Sequence, residues 1–294
     1  MTDHSSSSAD ASDAGESDAE SSPAAGTPDF SGSVPRGYER RLVPLLFEDY
    51  ADDLARRVGP IAGGAVLETA AGTGVVTRRL RATLPGSSSL TATDFNAGML
   101  EIAQEALAGL PGIEYRQADA TALPFEDGSF DAVACQFGVM FFPDEALGYR
   151  EAARVLRPGG RFLFSVWDDL ERNPIAGCLH EVLCGLAPED PPDFLAVPFR
   201  ALDVTGMVRD LQAAGFDEVV VSVLARPCCA ESAASAVGAY LTGSPLRRQV
   251  EERGLLETGG AAAVRAMAER YAGGDEAAAF EVPMQAVVFE ARLG

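Results

Sequence analysis

The chain predicts an α/β fold, a doubly wound and mainly parallel sheet with helices on both faces. Three observations carry this. Short apolar runs alternate with amphipathic stretches from Ala65 to Trp167. A glycine loop, Glu68-Thr69-Ala70-Ala71-Gly72-Thr73-Gly74, joins the first run to the helix after it. Two acids, Asp94 and Asp119, close the second and third runs. Alternating β and α units of this length build a parallel sheet that is buried on both sides.

Residues 1–35 are mostly Ser, Ala, Asp, Glu, Gly and Pro with one aromatic, too little apolar surface to offset the entropy of ordering, so disorder is expected there. From Pro44 onward, Phe47, Tyr50, Ala51, Leu54 and Val58 fall at helical spacing, and Gly59-Pro60 ends that helix. Ala65–Leu67 is the first strand. Val75, Val76 and Leu80 form the apolar face of the helix that follows the loop. Leu90–Thr93 is the second strand, and Asn96 can cap the helix bearing Met99, Leu100, Ala103 and Leu107. Ile113–Ala118 and Asp131–Gln136 are strands three and four. The helix 145–156 stops at Arg157-Pro158-Gly159-Gly160, and Arg161–Trp167 is the fifth strand. Helices are expected near 175–186 and 204–214, with strands at 218–224 and 283–292. Between these strands residues 230–280 are Ala-rich and helical, broken at Gly243-Ser244-Pro245 and Gly273-Gly274.

Charge narrows the partners. The net charge is −21, and all 23 basic residues are arginine. Such a body repels phosphate backbones, which argues against a nucleic-acid partner. No apolar run approaches the roughly 20 residues that span a membrane, and the acidic, serine-rich start is not a secretory signal, so a soluble cytoplasmic protein is expected with no membrane partner. The cysteines at 135, 178, 184, 228 and 229 are odd in number and irregular in spacing, which fits a reducing compartment. His180 and Cys184 share a helix face while Cys178 points away, so no metal site is expected. Oligomeric state is not legible.

The loop lets a ligand approach the backbone, and the following helix N-terminus favours negative groups, as at any nucleotide site. Thr77 stands where a nicotinamide fingerprint needs its third glycine, which disfavours NAD. Asp94, twenty residues beyond Gly74, can accept from both hydroxyls of a ribose. Asp119 can reach the exocyclic amine of the attached adenine. Each acid alone could simply cap a turn; their order at successive strand ends is the specific signal.

The stretches "VLETAAGTGVVTRRL", "TATDFNAGMLEIA", "RQADATALPFEDGSFDAVACQFGVMFF" and "EAARVLRPGGRFLFSVW" resemble the core of the class I S-adenosylmethionine-dependent methyltransferases, of the ubiquinone/menaquinone-biosynthesis type. That resemblance implies a Rossmann-like seven-stranded sheet of order 3-2-1-4-5-7-6, with strand 7 antiparallel. It implies S-adenosyl-L-methionine as cofactor. Gly72 and Gly74 would let the methionine part lie on the loop, Glu68 would face its amino group, and the Gln136 carbonyl would receive the ammonium. Asp94 would take the ribose, Phe95 would cover the adenine, and Asp119 with the Ala120 backbone would hold its amine. Ala70, where the family usually has glycine, Met99 and Tyr38 complete the set; Tyr38 could equally serve only packing.

One domain over 36–294 is then expected. It has a helical cover at 36–60, a cofactor-binding core at 61–168, helical lids at 169–200 and 227–281, and last strands at 216–226 and 282–293. The function implied is direct methyl transfer to O, C or N of a small, partly apolar molecule, since Phe194, Phe199 and Leu241 give the lids an apolar character. His180 is the candidate general base, with ordinary packing as its alternative reading. Competing functions are a nicotinamide oxidoreductase and a catalytically silent adenosylmethionine-binding regulator.

Overall fold

The structure, a computed structural model, describes residues 30–294. Disorder expected over 1–29 lies outside the described residues. At 30–35 the expectation is overturned. Phe30 packs edge-on against Tyr38, Phe141 and Phe194, and Pro35 is buried in a short helix α1, Val34–Gly37. A single aromatic, discounted by composition, finds an aromatic socket.

The helix expected from Pro44 starts earlier and has two parts. Tyr38–Phe47 winds as a π-helix, and α2, Glu48–Val58, continues from it. Pro44 lies inside the wide-wound part. A proline ring clashes with the carbonyl four residues back in a regular α-helix, and a wider turn relieves that clash. Together, Phe30–Phe47 form a strap over the sheet's carboxyl edge. Its contact with α8, Ala233–Gly243, is close because both sides carry glycine. A Cβ on Gly37 would collide with the Thr242 carbonyl oxygen, and one on Gly243 would lie 2.8 Å from Leu42 Cδ1.

The sheet has the order β3-β2-β1-β4-β5-β7-β6. β1 (Ala65–Glu68) pairs in parallel with β2 (Ser89–Asp94) and β4 (Phe130–Gln136). β2 carries β3 (Ile113–Gln117), and β4 carries β5 (Leu156–Trp167). β7 (Phe280–Leu293) is antiparallel to β5 and to the edge strand β6 (Phe216–Ala230). The strand order reverses at the β1/β4 boundary, where open α/β sheets place their ligands. Helices α3 (Val75–Thr83), α4 (Ala97–Ala106) and α5 (Glu145–Val155) cover the faces. Asn96 and Asp144 cap α4 and α5 with side-chain oxygens that accept from Gly98 N and Leu147 N.

Four boundaries differ from expectation for physical reasons. β5 begins at Leu156, before the Pro-Gly-Gly turn, because Leu156 pairs with Phe130 before a register shift resumes the ladder at Ala132↔Arg161. β6 and β7 are longer than expected, since Pro227 and Pro283 sit opposite each other inside them. A proline in a central strand would remove a ladder bond, yet Pro227 is on an edge strand and Pro283 lies beyond the last β5 pair, so neither does. The Ala-rich segment also breaks at Gly254 (φ +66), separating α9 (Leu246–Glu252) from α10 (Leu256–Tyr271).

One face of β5 buries Phe162 and Phe164 against Tyr149, Phe216 and Phe289. Near its carboxyl end, Trp167 meets Tyr50, Phe47 and Phe137 under the strap. α6 (Pro174–Leu186) and α7 (Val204–Ala213) follow β5. Among the described residues no helix is long and apolar enough to cross a membrane.

Candidate active site

The carboxyl ends of β1, β2 and β4 bring Glu68, Asp94 and Gln136 to one edge. Gly72 (φ +57) and Gly74 (φ +89) turn the loop after β1 through the left-handed region. At Gly74 only glycine fits for a second reason, because a Cβ would lie 2.9 Å from Leu107 Cδ1. At Gly72 the space is open, and a Cβ would only touch Met99 at 3.7 Å and Tyr38 Cε1 at 4.0 Å. The cradle over Gly72 is thus flanked by two residues the sequence had singled out. Ala70, the irregular position, adopts φ 52. A non-glycine residue held there stores strain, and the loop after β4 presses against it, since a Cβ on Gly138 would collide with the Ala70 methyl.

Asp94 is oriented by two backbone donors. Its Oδ2 accepts from Gly72 N at 2.8 Å and its Oδ1 from Asn96 N at 2.8 Å. The surrounding protein desolvates the carboxyl and pushes it up to about 6, against the pull of those amides. Glu68 is 1% exposed, and its Oε2 is buried with no hydrogen-bond partner. Burial pushes this carboxyl up to about 8, with Thr77 opposing and the Asp94 charge reinforcing. Gln136 Oε1 is likewise buried and unpartnered, while its amide donates to Phe47 O at 3.4 Å. Unsatisfied buried oxygens are costly, so these two acceptors, at the ends of the neighbouring strands β1 and β4, would suit a cation that donates hydrogen bonds.

Asp119 lies two residues beyond β3. Its Oδ1 caps the following turn, accepting from the Thr121 amide at 2.8 Å and hydroxyl at 2.7 Å. Ala120 sits in the same turn, and Phe95, 36% exposed, follows β2. His180 is placed elsewhere. It is half-buried on α6 with Cys184 Sγ 3.6 Å from its Nδ1, and burial lowers its pKa. It does not line the cavity described next.

Sequence reasoning missed an aromatic cavity of about 60 Å³ between the strap, the β4 and β5 ends, residues 194–199 and the end of α8. Phe30, Tyr38, Phe47, Phe137, Phe141, Trp167, Phe194, Phe199 and Tyr240 line it, with Leu42, Leu46, Leu195, Pro198 and Ser244. Of the three residues expected to give the lids their apolar character, Phe194 and Phe199 line the cavity and Leu241 does not. The available signal was the aromatic density of "QFGVMFF" after β4 together with Trp167, the only tryptophan. Cavity and cradle adjoin: Tyr38 lines the first and flanks Gly72 in the second.

Comparison with known proteins places this geometry. Residues 67–164 match the family model described as "Methyltransferase domain". A demethylmenaquinone methyltransferase of Clavibacter sepedonicus is 44% identical over 108 residues, 37% of this chain and 43% of that protein. One from Mycobacterium sp. (strain KMS) is 36% identical over 172 residues, 55% of this chain and 70% of that protein. The chain belongs to the class I S-adenosylmethionine-dependent methyltransferases, of the ubiquinone/menaquinone-biosynthesis type. Even so, the match spans less than half the length of the Clavibacter methyltransferase. The fold is shared with phosphoethanolamine N-methyltransferase 2 of Haemonchus contortus, a structure in complex with S-adenosyl-L-methionine. It has a TM-score of 0.54 at 16% identity and covers 88% of this chain and 56% of that one. The sheet order and the antiparallel β7 are those implied by the methyltransferase resemblance. S-adenosyl-L-methionine is the cofactor of this family, and the residues present fit it. The unpartnered Glu68 and Gln136 oxygens suit its ammonium, and the open face of Gly72 suits its methionine backbone.

Proposed function

We propose that the protein transfers the methyl group of S-adenosylmethionine to a small, planar, uncharged and largely apolar acceptor, of the hydroquinone kind. The observation that carries this reading is the aromatic cavity next to the Glu68–Asp94–Gln136 cradle, joined to it through Tyr38. Two curated relatives are demethylmenaquinone methyltransferases, which supports an oxygenated aromatic acceptor.

In this reading Asp94 receives the ribose hydroxyls, Glu68 and Gln136 hold the ammonium, and Gly72 and Gly74 give the backbone room. Phe95, Asp119 and the Ala120 backbone take the adenine, while Met99 and Tyr38 close over the methionine portion. When bound, the cofactor's sulfonium supplies an already activated methyl group. The chain's own contribution is alignment and the exclusion of water. Among the described residues the cavity lining contains no carboxylate, histidine or arginine to take a proton from the acceptor, and such a lining favours neutral guests.

Roughly 150 Å³ is the scale of a dry cavity that holds one benzene, so an aromatic guest would have to displace part of the lining of the present 60 Å³. Phe30 is the residue best placed to leave. It sits edge-on to three aromatic rings, as an aromatic guest would.

Calorimetric titration with S-adenosylmethionine, S-adenosylhomocysteine and NAD tests the cofactor assignment. Binding of the first two and not of NAD is expected. Binding of NAD alone would return the site to the oxidoreductase reading.

A further inference from the structure

Within the cavity, polar side-chain atoms are few, carried by Tyr38, Trp167, Tyr240 and Ser244. Ser244 Oγ donates to Tyr240 O at 2.7 Å and accepts from Leu246 N at 3.3 Å. Tyr240 is different. It is 3% exposed, it lines the cavity, and its hydroxyl is buried with no hydrogen-bond partner. A buried O–H without a partner is costly, so a fold keeps such a group where something else satisfies it. Burial raises the phenol well above its ordinary value, with the Cys228 thiol nearby adding to the effect, so the hydroxyl stays a donor.

The position is built rather than incidental. α8 carries Tyr240, and its start is fixed by a reciprocal capping box in which Ser235 N donates to Ser232 Oγ and Ser232 N to Ser235 Oγ. Its end is clamped to the strap at Gly243, where Leu42 and Tyr38 leave no room for a side chain. The ring is therefore held on an element packed against the same strap that carries Phe30 and Tyr38.

We propose that the Tyr240 hydroxyl donates a hydrogen bond to a ring oxygen of the methyl acceptor and so selects oxygenated aromatics over plain hydrocarbons. This rests on the acceptor-cavity reading above and names the residue that gives the cavity its selectivity. Tyr240 acts as a specificity and positioning residue. A buried donor at one fixed point of a largely apolar wall sets which ring atom faces the methyl group.

The test is equilibrium dialysis of 2-naphthol and naphthalene against the protein saturated with S-adenosylhomocysteine. The two probes share a ring system and differ by one hydroxyl. Wild-type protein should bind 2-naphthol about tenfold more tightly, the scale of one buried hydrogen bond, and Tyr240→Phe should erase that difference while leaving naphthalene unchanged. Equal affinity of both probes for wild type overturns the proposal without any variant being made, which covers the case in which Tyr240→Phe folds poorly. A loss for both probes in Tyr240→Phe also overturns it, since that is the mark of a packing role. Failure of both probes to bind wild type would remove the acceptor-cavity reading and this proposal together.

Discussion

The Phe137 ring lies flat on the Trp167 indole, with centroids 3.9 Å apart and planes within 7°. Phe137 reaches that position only by adopting φ 53 immediately after β4, a conformation that costs a non-glycine residue about 1–2 kcal/mol. The stacked pair forms part of the cavity wall, so the strain is invested in the shape of the site. Phe137→Ala should lower stability by about 3 kcal/mol, read from urea unfolding, because it empties a buried aromatic position. It should also raise the acceptor KM more than it lowers kcat, as expected for lost ground-state packing.

Asp94 links the glycine loop to β2 through Gly72 N and should be indispensable to the cofactor. Asp94→Ala should weaken S-adenosylmethionine binding by about 30-fold or more, the loss of two hydrogen bonds to a charged acceptor. Circular dichroism should show the fold retained. Unchanged binding in calorimetry would remove the ribose assignment.

The elevated Glu68 carboxyl gives a pH dependence with a definite sign. A carboxyl raised to about 8 is largely protonated at pH 6 and charged above 8. Holding a cationic ammonium favours the charged form, so cofactor affinity should rise as pH increases from 6 to 8. Asp94, raised to about 6, adds a contribution of the same sign at the lower end. Glu68→Gln should flatten the slope between 7 and 8, measured by titration across that range.

His180→Ala should leave kcat and KM within about twofold of wild type, because substitutions away from the site change little. The histidine contacts Cys184 on its own helix and lies outside the cavity lining. A loss of turnover with unimpaired cofactor binding would restore it as the base.

Ala70→Gly should be neutral or stabilise the protein by up to about 1 kcal/mol, the relief of left-handed strain set against the greater freedom of glycine when unfolded. Thermal unfolding measures this directly.

The core was legible in the sequence because each of its signals is local. The apolar runs, the Gly72 and Gly74 turn and the acid at the end of β2 all lie within a few residues of the elements they define. Asp119 was legible as an acid after β3, and only the structure shows that one of its oxygens is committed to Thr121. The aromatic cavity was not legible, because its walls come from residues as far apart as Phe30 and Ser244 and are assembled by the strap. Composition hid Phe30 within an acidic tail. The π-wound Tyr38–Phe47 segment escaped for a similar reason, since a proline in an amphipathic run marks a boundary more often than a widened helix.

Methyl transfer itself is the most direct measurement. Protein incubated with methyl-labelled S-adenosylmethionine should place label on reduced naphthoquinones or phenols, and not on amines or carboxylic acids of similar size. Tight cofactor binding with label on no acceptor, even in Phe30→Ala protein with its cavity enlarged, would contradict enzymatic function and leave an adenosylmethionine-binding protein without turnover.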